Sequence, residues 1–112
     1  MIDSYMWGNI DRISPEAPIP IVAVNKKENR LGGAANVAEN IKSLGAKPII
    51  CSVIGNDHNG IQFLELLSNE KLSSEGMIIS NTRTTTLKTR VIAANQHILR
   101  VDEEEIENIL KN

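Results

Sequence analysis

The residues of this chain best suited to chemistry are polar and small rather than nucleophilic. Gly32-Gly33-Ala34-Ala35-Asn36 opens a helical pattern. Paired glycines let a backbone approach a ligand closely, and a helix N-terminus offers unpaired N–H groups. Asn36, one turn in, can both donate to and accept from a hydroxyl. A bare Gly-Gly more commonly serves a tight turn with close helix packing, and its spacing is neither a Walker loop nor G-x-G-x-x-G. Asp3, beside Ile2 and Tyr5 near an extended stretch, can accept two vicinal hydroxyls, or be an ordinary solvated residue. Lys88, Arg90 and Arg100 lie on candidate paired strands and suit a phosphate, the arginines by bidentate contact. An exposed, charged sheet face explains them equally well.

Other candidates read as structural. Gly55-Asn56-Asp57-His58-Asn59-Gly60 fits a strand-to-helix turn with an Asx cap. His58 and His97 have no carboxylate or thiol at metal-ligand spacing, so no metal is expected. Cys51 lies in the most apolar stretch and is expected to be a buried, inert thiol. No Ser/His/Asp or Cys/His arrangement emerges.

The 112 residues carry 12 Lys plus Arg against 14 Asp plus Glu, a formal charge of −2. That length suits one domain able to bury a core, and 41% hydrophobic with 23% charged residues excludes wholesale disorder. The weakly acidic balance gives no footprint for nucleic acid. One cysteine excludes an internal disulfide framework and a thiolate-rich zinc site. No apolar run approaches bilayer-spanning length and no cleavable signal opens the chain, so a cytoplasmic protein is expected, with no membrane partner. With Tyr5, Trp7 and Phe63 as the aromatic residues, the core must be aliphatic.

The elements that would position these residues follow from pattern. Residues 1–8 are extended. The prolines of residues 14–20 forbid a helix interior, residues 21–24 are a short β-prone run, and residues 25–30 are a polar loop. A helix follows Gly33, with Val37, Ile41 and Leu44 as its apolar stripe and Gly45 as its stop. Residues 48–55 read as a strand buried on both faces. Asn56 or Asp57 caps a second helix with Ile61, Leu64 and Leu67 on one stripe and Phe63 beside it, and residues 76–79 are a weaker strand. Helix, strand, helix, strand is the α/β pattern. Residues 84–102 favour two strands joined at Asn95-Gln96, and Asp102 with Glu105 resembles a capping box for a short helix through Ile106, Ile109 and Leu110.

Taken in order, several runs carry a more specific resemblance. They are Arg12-Ile13-Ser14-Pro15-Glu16-Ala17-Pro18-Ile19-Pro20, Leu31-Gly32-Gly33-Ala34-Ala35-Asn36-Val37-Ala38, Gly55-Asn56-Asp57 with Gly60, Thr86-Leu87-Lys88-Thr89-Arg90-Val91, and Asn95-Gln96-His97-Ile98-Leu99-Arg100-Val101-Asp102. The series resembles the ribokinase-like (PfkB) carbohydrate kinases, and within them the heptose 7-phosphate kinases of bacterial ADP-heptose synthesis, which supply lipopolysaccharide precursors. The Arg-Ile-Ser-Pro-Glu-Ala-Pro run discriminates, since Gly-Gly-x-x-Asn is shared by many sugar and nucleoside kinases. The resemblance implies an α/β class, a partial Rossmann-like ribokinase fold with a small β-sheet lid. The lid strands would be residues 5–8, 19–24, 86–94 and 97–102, the α/β core residues 32–80, and the 112 residues one N-terminal kinase portion. It implies substrate binding by Asp3, Gly32, Gly33 and Asn36, with Lys88 and Arg90 near the sugar and its phosphate. The implied reaction is phosphoryl transfer from Mg-ATP to the anomeric hydroxyl of a heptose 7-phosphate, in a homodimer clasped through the lid.

The same resemblance exposes what is missing. The family's base aspartate and anion hole lie in a Gly-Ala-Gly-Asp-type segment that nothing here matches, and the acidic run Asp102-Glu103-Glu104-Glu105 lacks the glycines of a phosphate cradle. No catalytic residue and no ATP or Mg2+ site is therefore expected in this chain. Met1-Ile2-Asp3 matches the last three residues of the family's Gly-Asp-x-Met-x-Asp strand end, which implies a further core strand before Met1. A sheet lacking that strand would expose edges and apolar faces and favour self-association. The expectation is an inactive sugar-side portion of a kinase. The alternatives are a stand-alone sugar-phosphate-binding or dimerisation module, and a portion of a ribokinase-like kinase for another sugar or a nucleoside.

Overall fold

A computed structural model describes residues 1–13 and 19–108. In chain order the elements are β1 (Ile2–Ile13), β2 (Pro20–Leu31), α1 (Ala34–Ser43), β3 (Ser52–Gly55), α2 (His58–Asn69), β4 (Met77–Ser80), β5 (Leu87–Ala93) and β6 (Gln96–Glu103). They form a four-stranded sheet in the order β2-β1-β5-β6 and a parallel pair, β3-β4. In the larger sheet β1/β2 and β5/β6 pair antiparallel, whereas β1 and β5 run parallel. A parallel pair needs a long crossover, and α1-β3-α2-β4 supplies it. The mixed α/β class expected from the sequence is the one found, and the α/β segment is itself the connection inside the larger sheet.

The core lies where the two parts meet. Ile2, Leu31, Ala35, Ala38, Ile50, Ile54, Phe63, Leu67 and Leu72 form one buried cluster, with Leu64, Leu66, Met77 and Leu87 against it. As expected, it is aliphatic around one aromatic ring. The chain exposes 7971 Å², against about 6,100 Å² for a compact protein of its mass. The excess includes apolar side chains on α1 and on β4, where Ile78 and Ile79 are more than half exposed.

Several expectations fail in instructive ways. The first two strands run well beyond residues 5–8 and 19–24, because residues 25–30 continue β2 rather than looping. On α1 the buried residues are Ala35 and Ala38, while Val37, Ile41 and Leu44 face outward. Small side chains let the helix sit close to the cluster, so its larger apolar stripe lies on the other side. Likewise α2 buries Gly60, Phe63 and Leu67, while Ile61 is exposed. Residues 48–55 are strand only from Ser52, and the run is not buried throughout: Ile50 and Ile54 are inside, while Ile49, Cys51 and Ser52 are exposed. The Cys51 thiol is thus exposed, not buried. The β5–β6 turn is Ala94-Asn95, both at positive φ (52° and 61°), one residue before the expected pair. Asp102 belongs to β6 and caps no helix, and residues 104–108 are not helical. Ser14 to Pro18 of the proline-rich run, and Ile109 and Leu110 of the expected last helix, lie outside the described residues.

One carboxylate ties the crossover together. Asp57, the N-cap of α2, accepts from the Gly60 N–H at 2.7 Å, the Thr85 hydroxyl at 2.7 Å and the Thr85 N–H at 3.0 Å. The buried Thr85 Oγ1 in turn accepts from the Gly55 N–H at 2.8 Å. Close approach explains both glycines: a Cβ at Gly55 would lie 2.1 Å from the Arg83 carbonyl, and one at Gly60 2.2 Å from the Gly55 carbonyl. Burial pushes the Asp57 carboxyl up, but the hydrogen bonds from Thr85 and Gly60 outweigh it and hold the group below its ordinary 3.8. A carboxylate depressed in this way contributes its full stability above the ordinary value and loses it as pH falls through the folded-state value. Asp57→Asn is accordingly expected to cost about 1–3 kcal/mol in urea melts at neutral pH. The gap to wild type should narrow as pH drops below 3.8; a gap independent of pH would contradict this.

Candidate functional site

Strand alternation assembles one polar face of the larger sheet. Asp3, Tyr5 and Trp7 share that face of β1, with Arg30, Glu28 and Lys26 opposite them on β2 and Lys88, Arg90 and Ile92 on β5. β6 adds Asp102 opposite Lys88 and Arg100 opposite Arg90. Charge alternates along the row Arg30, Asp3, Lys88, Asp102. Diagonally across it, Asp3 Oδ1 and Arg90 Nη1 form an ion pair at 3.0 Å, with the two side chains 17% and 21% exposed. Both facing atoms are shielded from solvent and meet outside good hydrogen-bond angles, so Coulomb attraction carries the contact. The contact with Asp3 pushes the Arg90 pKa further up and keeps its charge fixed.

An aromatic pair underlies these charges. The Tyr5 and Trp7 rings stack with centroids 5.5 Å apart and planes 14° apart. The Arg30 guanidinium lies 4.7 Å from the Tyr5 centroid, Arg90 lies 5.5 Å from the same ring, and Lys26 Nζ lies 4.8 Å from Trp7. Arg30 also forms a fork with Glu28 at 2.9 and 3.0 Å. Exposed pairs of this kind add little stability, but the rings and the fork limit where the cations can go.

The glycines join this face to α1. Gly32 N–H donates to the Met1 carbonyl at 3.1 Å. A side chain at Gly32 would begin 2.6 Å from Asp3 Cγ, so the Asp3 carboxylate occupies the space a Cβ needs. Gly33 adopts φ 58° and ψ −128° as the N-cap of α1, a conformation that side-chain-bearing residues avoid, and no side chain caps the helix. Asp3, Gly32 and Arg90 thus form one cluster, with Gly33 next in sequence. Lys88 is half-buried between Asp3 and Asp102 in register, with no ion pair to either. Asn36 is exposed and lines an adjacent cleft of about 320 Å³ with Glu28, Arg30 and Glu39. No hydrogen bond joins its side chain to the Asp3 cluster among the described residues. The sequence reading missed Tyr5, Trp7, Lys26, Glu28 and Arg30 as neighbours. The signal was present: the run Asp3, Tyr5, Trp7 and the run Lys26, Glu28, Arg30 each alternate with a period of two.

Comparison with known proteins agrees with this architecture. The model for the pfkB family carbohydrate kinases matches residues 2–112. The chain belongs to that family. Among pfkB relatives, "Bifunctional protein HldE" of Helicobacter pylori (strain J99) is 51% identical over 102 residues, covering 91% of this chain and 22% of the relative. The chain therefore spans under a quarter of that relative's length. Among solved structures, a carbohydrate kinase from Agrobacterium tumefaciens superposes with a TM-score of 0.70 at 19% identity, over 91% of this chain and 32% of its own. The ribokinase from Cryptococcus neoformans in complex with ADP gives 0.62 at 20% identity, over 91% and 31%. At these identities the likeness is one of fold.

The Gly32–Asp3 apposition is directly testable. Gly32→Ala should cost about 1–3 kcal/mol in urea melts, as expected when a packed site is overfilled. In an Asp3→Ala background the same substitution should cost markedly less, because the clashing carboxylate is gone. Equal penalties in the two backgrounds would contradict the contact.

Proposed function

We propose that this chain is the sugar-binding side of a pfkB kinase of the heptose 7-phosphate type. The observation that carries this reading is the Asp3 carboxylate, held against Gly32 where β2 passes into α1 and anchored from the far side by Arg90. Such a carboxylate can accept two vicinal hydroxyls from a sugar. The uncapped first turn of α1 and the carboxamide of Asn36 supply further donors at the margin, and Lys88 and Arg90 supply positive charge for a phosphate. The heptose assignment rests on the similarity to HldE and on the Arg-Ile-Ser-Pro-Glu-Ala-Pro run.

In the whole kinase the reaction would be phosphoryl transfer to the anomeric hydroxyl, where positioning and electrostatics supply most of the catalysis. These residues would bind and orient the sugar, and the sheet would cover it as a lid. ATP with Mg2+ supplies the phosphoryl group when bound. The described residues do not fit that group: the N-terminus of α2 is filled by its own Asp57 carboxylate, and the acidic run at residues 102–105 has no cradle of N–H groups. We assign no catalytic base and no nucleotide contact to this chain. Clasping of two lids into a homodimer belongs to the same proposal for the whole kinase.

A second reading, a stand-alone sugar-phosphate-binding module, is favoured by one feature: every residue of the cluster comes from β1, α1's approach and β5 of this chain. The purified 112 residues should bind D-glycero-D-manno-heptose 7-phosphate in calorimetry. With Mg-ATP present they should release ADP no faster than buffer, and Asp3→Asn should weaken binding by about ten- to a hundredfold. Measurable turnover would overturn the division of labour. Tighter binding of fructose 6-phosphate or inosine would overturn the heptose assignment.

A further inference from the structure

The two helices stop in the same way but with different residues at the decisive position. Past α1, the Gly45 N–H donates to the Lys42 carbonyl at 2.9 Å and the Ala46 N–H to the Ile41 carbonyl at 3.4 Å. Past α2, the Lys71 N–H donates to the Ser68 carbonyl at 3.0 Å and the Leu72 N–H to the Leu67 carbonyl at 2.9 Å. This stop needs one residue in the left-handed region, ordinarily glycine. Gly45 takes it at φ 93°, whereas α2 places Lys71 there at φ 56°. A lysine held in that conformation costs stability, and such residues gather at ligand sites.

Lys71 borders a cavity. An open cleft of about 350 Å³ lies between the two helix ends, lined by the apolar Ala46, Pro48 and Leu72 together with Lys42, Lys47 and Lys71. No carboxylate lines it, and none pairs with these lysines among the described residues. Lys42 Nζ donates to the Glu70 carbonyl, the ordinary task of a lysine near helix C-termini. Lys47 and Lys71 make no side-chain hydrogen bond among the described residues, so their charges are open to a ligand. The cleft is also remote from the Asp3 cluster, which meets α1 at its first turn. The ten residues of α1 put about 15 Å between the two ends.

We propose that this cleft is a second binding site, for a small organic anion that carries two or more carboxylates on a short apolar body. Three ammonium groups around one cavity repel one another, and a polyanion relieves that repulsion. The apolar lining takes the body of the ligand, and the cavity has the size of a small-molecule site. Lys71 is kept at a glycine position because its charge is needed there. The inference stands apart from the sugar reading and does not rest on it.

The test titrates benzene-1,3,5-tricarboxylate into the isotope-labelled chain and follows the backbone amides. Saturable changes should fall on Lys42, Ala46, Lys47, Lys71 and Leu72, and should weaken as salt is added. Benzene-1,3,5-trimethanol, which keeps the ring without charge, and inorganic phosphate, which keeps charge without a ring, should both bind more weakly. Lys71→Gly should weaken tricarboxylate binding by about three- to fivefold while raising the midpoint of urea unfolding, because glycine relieves the backbone. Lys71→Gln, which removes the charge and keeps the strain, should weaken binding equally without that rise. A lower unfolding midpoint for Lys71→Gly would show that the lysine serves the fold and would overturn the proposal. So would equal binding of the uncharged ring or of phosphate, unchanged binding by either variant, or tricarboxylate changes absent from the cleft.

Discussion

The carboxylate of Asp57 is the contact on which the arrangement of this chain depends. It caps α2 through Gly60 and, with the same two oxygens, holds both the N–H and the hydroxyl of Thr85. Thr85 stands just before β5, and the next carbonyl, that of Thr86, accepts from the Ile2 N–H at 3.0 Å. The point at which the chain returns from its crossover is therefore pinned, and with it the register of β5 against β1. That register sets Lys88 opposite Asp3 and brings Arg90 within reach of its carboxylate. A slip by one residue would turn every side chain of β5 to the other face. The site depends on a hydrogen-bonded knot that contributes nothing to it directly.

The face so fixed carries its charges in a particular way. Each of its carboxylates is engaged by an arginine: Glu28 by Arg30, Asp3 by Arg90, Asp102 by Arg100. Lys26 and Lys88 remain without carboxylate partners among the described residues, so the face is positive on a chain whose formal charge is −2. A local excess of positive charge against an opposite overall balance favours an anionic ligand at this face. The aromatic pair beneath gives the cations fixed ground without neutralising them.

What the sequence made legible was chemistry confined to neighbouring residues. The Asp57 cap, the glycine pair before α1, the stop at Gly45 and the α/β alternation all follow from local rules. What it hid was which surface each element meets. Residues 25–30 looked like a loop because they are polar, yet alternating Lys26, Glu28 and Arg30 fit a strand laid beside Tyr5 and Trp7. The Val37–Ile41–Leu44 stripe was a sound amphipathic signal, but the cluster chose the alanine side, where the backbone could come closer. Cys51 was placed inside by its apolar neighbours, yet it and Ser52 are exposed just before the strand turns Ile54 into the core. Of the residues singled out, Asp3, Gly32 and Arg90 came together, while Asn36 fell into an adjacent cleft and Thr85 had no local signal at all.

The proposal that sugar is held on the Asp3 face, where the sheet meets α1, is open to one direct measurement. Backbone amide chemical shifts recorded while heptose 7-phosphate is added to the isotope-labelled chain test it most directly. The largest, saturable changes should fall on Asp3, Gly32, Gly33 and Arg90, with smaller ones at Lys88 and Asn36. Changes confined to the β3–β4 pair or to the far ends of the helices around Lys42 and Lys71 would contradict it.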